Sequence, residues 1–333
     1  MHAHQQKVGV SVAIPHLSRV RVLFYIGGYP PFHQIIWNIL QETLILQEII
    51  SHIMSTTVSV KPSASSRLTI RTSAHSLSFS SLTFDEGKML ITHEPYQLKS
   101  GISVAANLRE AFKTSELTTA DYQRVMVMVD SDVLLEPISL FSEDEVALHY
   151  RYTFPDTEGG RVLHTIIPDL KTVAAYMINK DLYTVITDRY PSAQFMNVLC
   201  PVWRYLYQRN FATIFNKLYA YFHDDKVDIF CFSQNRFKFA NAFSLTHSGS
   251  LHACCNDAIY FILNVWQQLA LKTELDELHL MGEVPEREWM VSELRRYLQK
   301  VYVINPSGEF NRAPATQVEG LPFDMMTYFI KGR

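Results

Sequence analysis

Residues 217–245 read KLYAYFHDDKVDIFCFSQNRFKFANAFSL. Three runs, Lys217–His223, Lys226–Ser233 and Arg236–Leu245, alternate as half-buried strands do. The joints Asp224-Asp225 and Gln234-Asn235 are two-residue turns, so the stretch predicts an antiparallel meander of fixed register. Outward from it, Asn256–Leu271 (NDAIYFILNVWQQLAL) predicts a helix. Its wide apolar face is formed by Ile259, Ile262, Leu263, Trp266 and Leu269. A strand at Glu277–Met281, a turn at Gly282, a helix over Pro285–Leu298 and a strand at Val301–Ile304 complete the unit. Helices that bury one face must lie on the sheet, which gives an α/β layer architecture.

The same order occurs earlier in the chain. Arg67–Thr72 (RLTIRT), Ser76–Thr83 and Met89–His93 alternate with period two, with turns at Ser73-Ala74-His75 and Asp85-Glu86-Gly87. Ser103–Lys113 has helical spacing, and Arg124–Asp130 (RVMVMVD) reads as a strand buried on both faces. Ser142–Arg151 predicts a helix opened by a Ser142/Glu145 capping box. Strands at Val162–Ile167 and Thr172–Met177, a helix at Lys180–Arg189, a strand at Gln194–Val198 and a helix at Pro201–Gln208 follow. The organisation expected is therefore an N-terminal extension (1–53), a Ser-rich lead-in (54–66), a first lobe (67–213) and a second lobe (214–304). A tail (305–333) with Pro306, Pro314 and Pro322 is expected to run extended across the lobes to the apolar Met325–Ile330.

Composition narrows the function classes. The chain has 333 residues, 47% of them hydrophobic, and a net charge of −3 with Lys and Arg dispersed. No dedicated nucleic-acid surface is expected from that pattern. Cys200, Cys231, Cys254 and Cys255 form no CxxC pair, which points to reduced thiols and a cytoplasmic location. Ile35–Ile50 is apolar but carries Gln41, Glu42, Gln47 and Glu48, and it is shorter than the ~20 residues of a membrane span. It reads as an amphipathic arm. Residues 1–53 hold five charged residues and five histidines, unlike the remainder, so a translation start at Met54 is one expectation. Glycine, at 12 residues, is about half its usual ~7% share.

Three segments carry a resemblance: RLTIRTSAHSLSFSSL, NDAIYFILNVWQQLALKTELDELHLMG and VINPSGEFNRAPATQVEGLPFDMM. They resemble an uncharacterised bacterial family, a domain of unknown function with the actin-like ATPase fold, and the likeness extends over Arg67 to Ile330. What it implies is an α/β protein of two ribonuclease-H-like lobes, each a mixed sheet flanked by helices. It implies no activity.

Actin-like ATPases hold phosphates on two Asp-x-Gly-type hairpin turns, because amides must approach the phosphates closely and a carboxylate must position Mg²⁺. By position the first turn here contains Ser73 and His75, with neither Asp nor Gly. The second contains Asp224 and Asp225 without Gly, and only Gly282 stands where an adenosine contact would be. These five are the positional cofactor candidates. Asp130 and Asp132 end a buried strand where α/β folds place ligand groups, and they are the catalytic candidates. No metal set is expected: adjacent Cys254 and Cys255 diverge on a helix, and the Thr246–His252 loop reads as a cap with an anion-site alternative. The aromatic residues of the second meander, Tyr219, Tyr221, Phe230 and Phe232 among them, read as core and interface. The expected role is non-catalytic binding or scaffolding of an unknown protein partner, without nucleotide. The alternative is a divergent Mg²⁺-dependent ATPase or kinase with ATP in the interlobe cleft.

Overall fold

A computed structural model describes residues 66–331 apart from 86–87, 121, 123, 156–158, 211–214, 234–235 and 246–250. The expected N-terminal extension, its amphipathic arm, nearly all of the lead-in and most of the loop before the long second-lobe helix lie outside the described residues. The strands of the first lobe are β1 (Arg67–Thr72), β2 (Leu77–Asp85), β3 (Lys88–Tyr96), β4 (Arg124–Val129), β5 (Val133–Pro137), β6 (Gly160–Ile167), β7 (Thr172–Asn179) and β8 (Gln194–Asn197). Its helices are α1 (Val104–Thr114), α2 (Glu116–Thr119), α3 (Val146–Thr153), α4 (Lys180–Arg189) and α5 (Leu199–Asn210). The second half has β9 (Lys217–His223), β10 (Lys226–Ser233), β11 (Arg236–Ser244), α6 (Leu251–Gln268), β12 (Glu277–Gly282), α7 (Arg287–Leu294) and β13 (Val301–Val303). The tail adds α8 (Pro306–Glu309) and α9 (Phe323–Lys331).

Two five-stranded sheets run in the orders β3-β2-β1-β4-β8 and β11-β10-β9-β12-β13. In each, the first strand of the meander pairs antiparallel with the second and parallel with the strand after the helix. The two sheets are topological copies, as the repeated sequence order requires. The first lobe carries an insertion that the repeat lacks: β5, β6 and β7 form a separate three-stranded antiparallel sheet.

Local chemistry sets the boundaries. Ser103 caps α1 by accepting from Ala106 N, and Asn179 caps α4 by accepting from Asp181 N and Leu182 N. Asp224 and Asp225 both have positive φ (43° and 62°), the geometry of a two-residue hairpin turn that Asp tolerates. The Ser142/Glu145 capping box does not form. The Ser142 carbonyl, not its hydroxyl, receives the amides of Glu145 and Val146, and the helix starts later, at Val146. Similarly, Glu286 is left-handed at φ 38°, which delays α7 past Pro285.

Alternation sorts the side chains of each sheet onto two faces. Leu68, Ile70 and Val127 enter a core under α1 and α4, while Leu218, Ala220 and Ile229 enter a second core under α6. The opposite faces present Met128, Tyr221, Phe230 and Phe232, which join Trp203 of α5 in a third, interlobe core. The aromatic residues of the second meander thus divide between core and interface as expected.

The tail departs from expectation. It is not extended: Pro306 and Pro314 open short helical turns, and Pro322 immediately precedes α9. Helix α9 packs on α5, and its Phe323, Met325 and Phe329 join the interlobe core. Asp324 and Thr327 are wholly buried. Met326, Tyr328 and Ile330 of the same helix are half-buried. Among the described residues, no helix is long and apolar enough to cross a membrane.

Candidate functional site

The strand alternation that sends Leu68 and Ile70 into the first core turns Arg71 toward the second sheet. There it is 4% exposed and held on all three of its side-chain nitrogens. Nε lies 3.1 and 3.0 Å from the two carboxylate oxygens of Asp324, and Nη2 lies 2.9 Å from Oδ2 of Asp324. Nη2 also pairs with Asp224 at 2.5 Å, and Nη1 donates to Ser76 Oγ at 3.2 Å. Tyr221 donates to Asp324 at 2.9 Å. One guanidinium therefore ties the first hairpin to the second and both to the tail, in the forked geometry for which Arg is suited.

Asp224 spends its other oxygen on the Ser76 hydroxyl at 2.6 Å and also meets His223 Nδ1 at 3.1 Å. His223 Nε2 reaches Asp228 at 2.7 Å. Lys226 pairs with Asp130 at 2.5 Å and lies 3.9 Å from Asp228. Burial works against a charge on His223, but its bonds to Asp224 and Asp228 outweigh it and lift the imidazole to about 9. Burial likewise opposes ionisation of Asp224, yet His223, Arg71 and Ser76 hold its carboxyl far below the usual carboxylate range. Lys226 stays above its ordinary value because Asp228 and Asp130 outweigh its burial. Arg71, His223 and Lys226 thus face the carboxyl groups of Asp130, Asp224, Asp228 and Asp324, and burial pushes the Asp130 carboxyl up against the pull of Lys226 and His223.

Stability follows these shifts. A histidine raised in the folded state contributes fully below its unfolded value of about 6.5, and that contribution is lost as pH rises through about 9. Unfolding free energy should fall by on the order of 3 kcal/mol between pH 6.5 and 10 from this residue. Urea titrations of the wild type and His223→Asn at both pH values measure it: the variant should lose most of that slope. Asp224 acts on the other side, with a contribution present above about pH 4 that is lost on acidification.

The positional candidates can now be placed. Ser73 is buried and closes its own turn: its hydroxyl accepts from the amides of His75 (3.1 Å) and Ser76 (2.9 Å). The amides a phosphate would need are taken by that hydroxyl. His75 and Asp225 are exposed at the two turns. Gly282 has φ +81°, and a Cβ there would stand 2.2 Å from the Phe222 carbonyl, so it serves close packing of β12 on β9. Asp130 and Asp132 lie past the end of β4, so strand alternation does not put them on one face. Asp130 turns to Lys226, whereas Asp132 is exposed and its carbonyl accepts from Tyr150 OH at 2.9 Å.

Asp130, His223 and Asp224 could each offer one atom to a metal, all within 4.8 Å. They do not fit a cation as arranged. Asp130 is paired with Lys226 and Asp224 with Arg71, and both ring nitrogens of His223 already meet carboxylates. The first turn offers little to a polyphosphate either, because the amides of His75 and Ser76 already donate to the Ser73 hydroxyl. The interlobe cavity between Trp203, Phe230, Asp132 and Asp228 measures about 30 Å³, room for roughly two waters. The sequence reading missed Arg71, Ser76, Tyr221, His223, Lys226, Asp228 and Asp324. The available signal was Asp324 alone within the apolar run LPFDMMTYF.

The model of a family described as proteins of unknown function (DUF3822) matches residues 55–301. No curated protein matches the sequence. The crystal structure of a protein with actin-like ATPase fold and unknown function from Bacteroides thetaiotaomicron is similar at 27% identity. The match covers 77% of this chain and 97% of that one, with a TM-score of 0.67. More distant are the PilM–PilN type IV pilus biogenesis complex, at 13% identity, 82% and 97% coverage and a TM-score of 0.47. The ethanolamine utilization protein EutJ from Carboxydothermus hydrogenoformans stands at 9% identity, 80% and 91% coverage and 0.36. The repeated mixed sheets have the actin-like ATPase fold, and the chain belongs to the DUF3822 family of proteins of unknown function.

Proposed function

We propose that this protein is a pseudo-ATPase: a non-catalytic binding or scaffolding protein that keeps the two-lobed frame and uses it to engage a protein partner. The observation that carries the reading is the Arg71–Asp324 pair. The protein's own carboxylate occupies the cation between the hairpins where an actin-like ATPase would hold phosphate. The self-closed Ser73 turn supports the same conclusion. All four cysteines are buried and unpaired, and burial pushes the Cys200 and Cys231 thiols up to about 12. Inert thiols of this kind support a cytoplasmic location.

Thermal unfolding of the full chain with millimolar Mg²⁺-ATP or Mg²⁺-ADP tests the proposal. A nucleotide present at 100 times its dissociation constant stabilises the native state by about 2.7 kcal/mol, a rise of a few degrees at this size. The expected result is no rise. A Mg²⁺-dependent rise of 2 °C or more would instead support the divergent ATPase reading. Alanine substitution of Asp130 and Asp224 does not discriminate, because both also hold buried cations.

A further inference from the structure

Helix α9 packs on α5 and shares one core with the inner faces of the two five-stranded sheets, and its chemistry is that of a bound peptide. Phe323, Met325 and Phe329 fill apolar sockets of the interlobe core. Asp324, in the first helical turn, is read by the Arg71 fork and by the Tyr221 hydroxyl. Thr327 returns its hydroxyl to the Asp324 carbonyl at 2.7 Å, so it enters the apolar site with its own donor satisfied. The link before the helix is thin: Glu319 and Gly320 are exposed, and Gly320 adopts φ +70° with nothing within 4 Å of a Cβ.

We infer that the interlobe groove is a recognition site for a short helix of the pattern Phe-Asp-Met-x-Thr-x-Phe, and that α9 is its resident, exchangeable occupant. This deepens the reading of the cleft as a binding site and rests on it. The mode is helix-in-groove recognition with a charged anchor: apolar sockets supply affinity and the Arg71 fork supplies specificity for a carboxylate. Tethering keeps the groove filled, since an attached segment acts at an effective concentration in the millimolar range for short linkers.

The test uses the full chain with a protease recognition sequence inserted between Glu319 and Gly320. After cleavage, a labelled peptide of residues 321–333 is added and its uptake is followed by fluorescence anisotropy, with circular dichroism reporting the fold. The expected result is a folded, cleaved protein that takes up the peptide, with an Asp324→Asn peptide binding at least tenfold more weakly. Unfolding on cleavage, or uptake indifferent to that substitution, overturns the inference. A second variant avoids the insertion: Asp324→Asn in the uncut chain should lose hydrogen-exchange protection in residues 321–331 well before the sheets do. Parallel loss throughout also overturns it. The nucleotide experiment stays separate, since a Mg²⁺-ATP shift in the uncut chain with normal peptide exchange would sink the non-catalytic reading alone.

Discussion

Arg71→Leu is expected to lower the unfolding free energy by about 3–5 kcal/mol, the cost of breaking a buried ion pair by removing one partner. The size follows from what is left behind. Asp324 is 0% exposed and would keep only the Tyr221 hydroxyl as a side-chain donor. Asp224 would lose its guanidinium but retain His223 and Ser76. Adding Asp324→Leu should therefore restore much of the loss, because the stranded charge is removed together with its partner. A double-mutant cycle in urea at pH 7 measures this, with an expected coupling of about 3 kcal/mol or more, the upper end for residues in contact. A cost below 1 kcal/mol for Arg71→Leu alone would mean that the network does not hold the lobes together.

Gly282→Ala is expected to cost about 2–6 kcal/mol, through left-handed backbone strain of about 1–3 kcal/mol together with overpacking of similar size. The new Cβ would meet the Phe222 carbonyl at 2.2 Å and the Tyr221 ring at 2.8 and 2.9 Å. That carbonyl cannot withdraw freely, since it accepts the Glu283 amide at 2.9 Å. Gly320→Ala is the internal control. Its φ is similar, +70°, but nothing lies within 4 Å of a Cβ there, so only the backbone term remains, about 1–2 kcal/mol. Equal costs at the two sites in denaturant titrations would show that the contact with β9 contributes nothing.

The second meander was the most legible part of the sequence. Strands Lys217–His223 and Lys226–Ser233 and helix Lys180–Arg189 coincide with their expected limits. Hairpin turns and a capping Asn fix those ends through local chemistry alone. Strand β5 was missed because VLLEP is short, ends in proline and follows two aspartates, so no alternation marks it. Prolines led the tail to be read as extended, whereas two of them sit at the first position of helical turns, where a missing N–H costs nothing. The site was harder still. Arg71 sits in an alternating strand as an outward polar residue should, and what faces it is decided by residues up to 253 positions away. Pairings at that distance have no local signature. Only the lone Asp324 among apolar neighbours hinted at a buried partner.

That 253-residue separation also has a cost in time. At the usual 5–20 residues per second, Asp324 is synthesised roughly 13–50 s after Arg71. Both sheets and their outer helices can form during that interval, but the faces that meet α9 cannot be sealed. A nascent chain would wait with an apolar, arginine-bearing groove open, the kind of surface that invites aggregation or chaperone binding. The residues of α9, made after both sheets, are therefore the ones that end the molecule's vulnerable period.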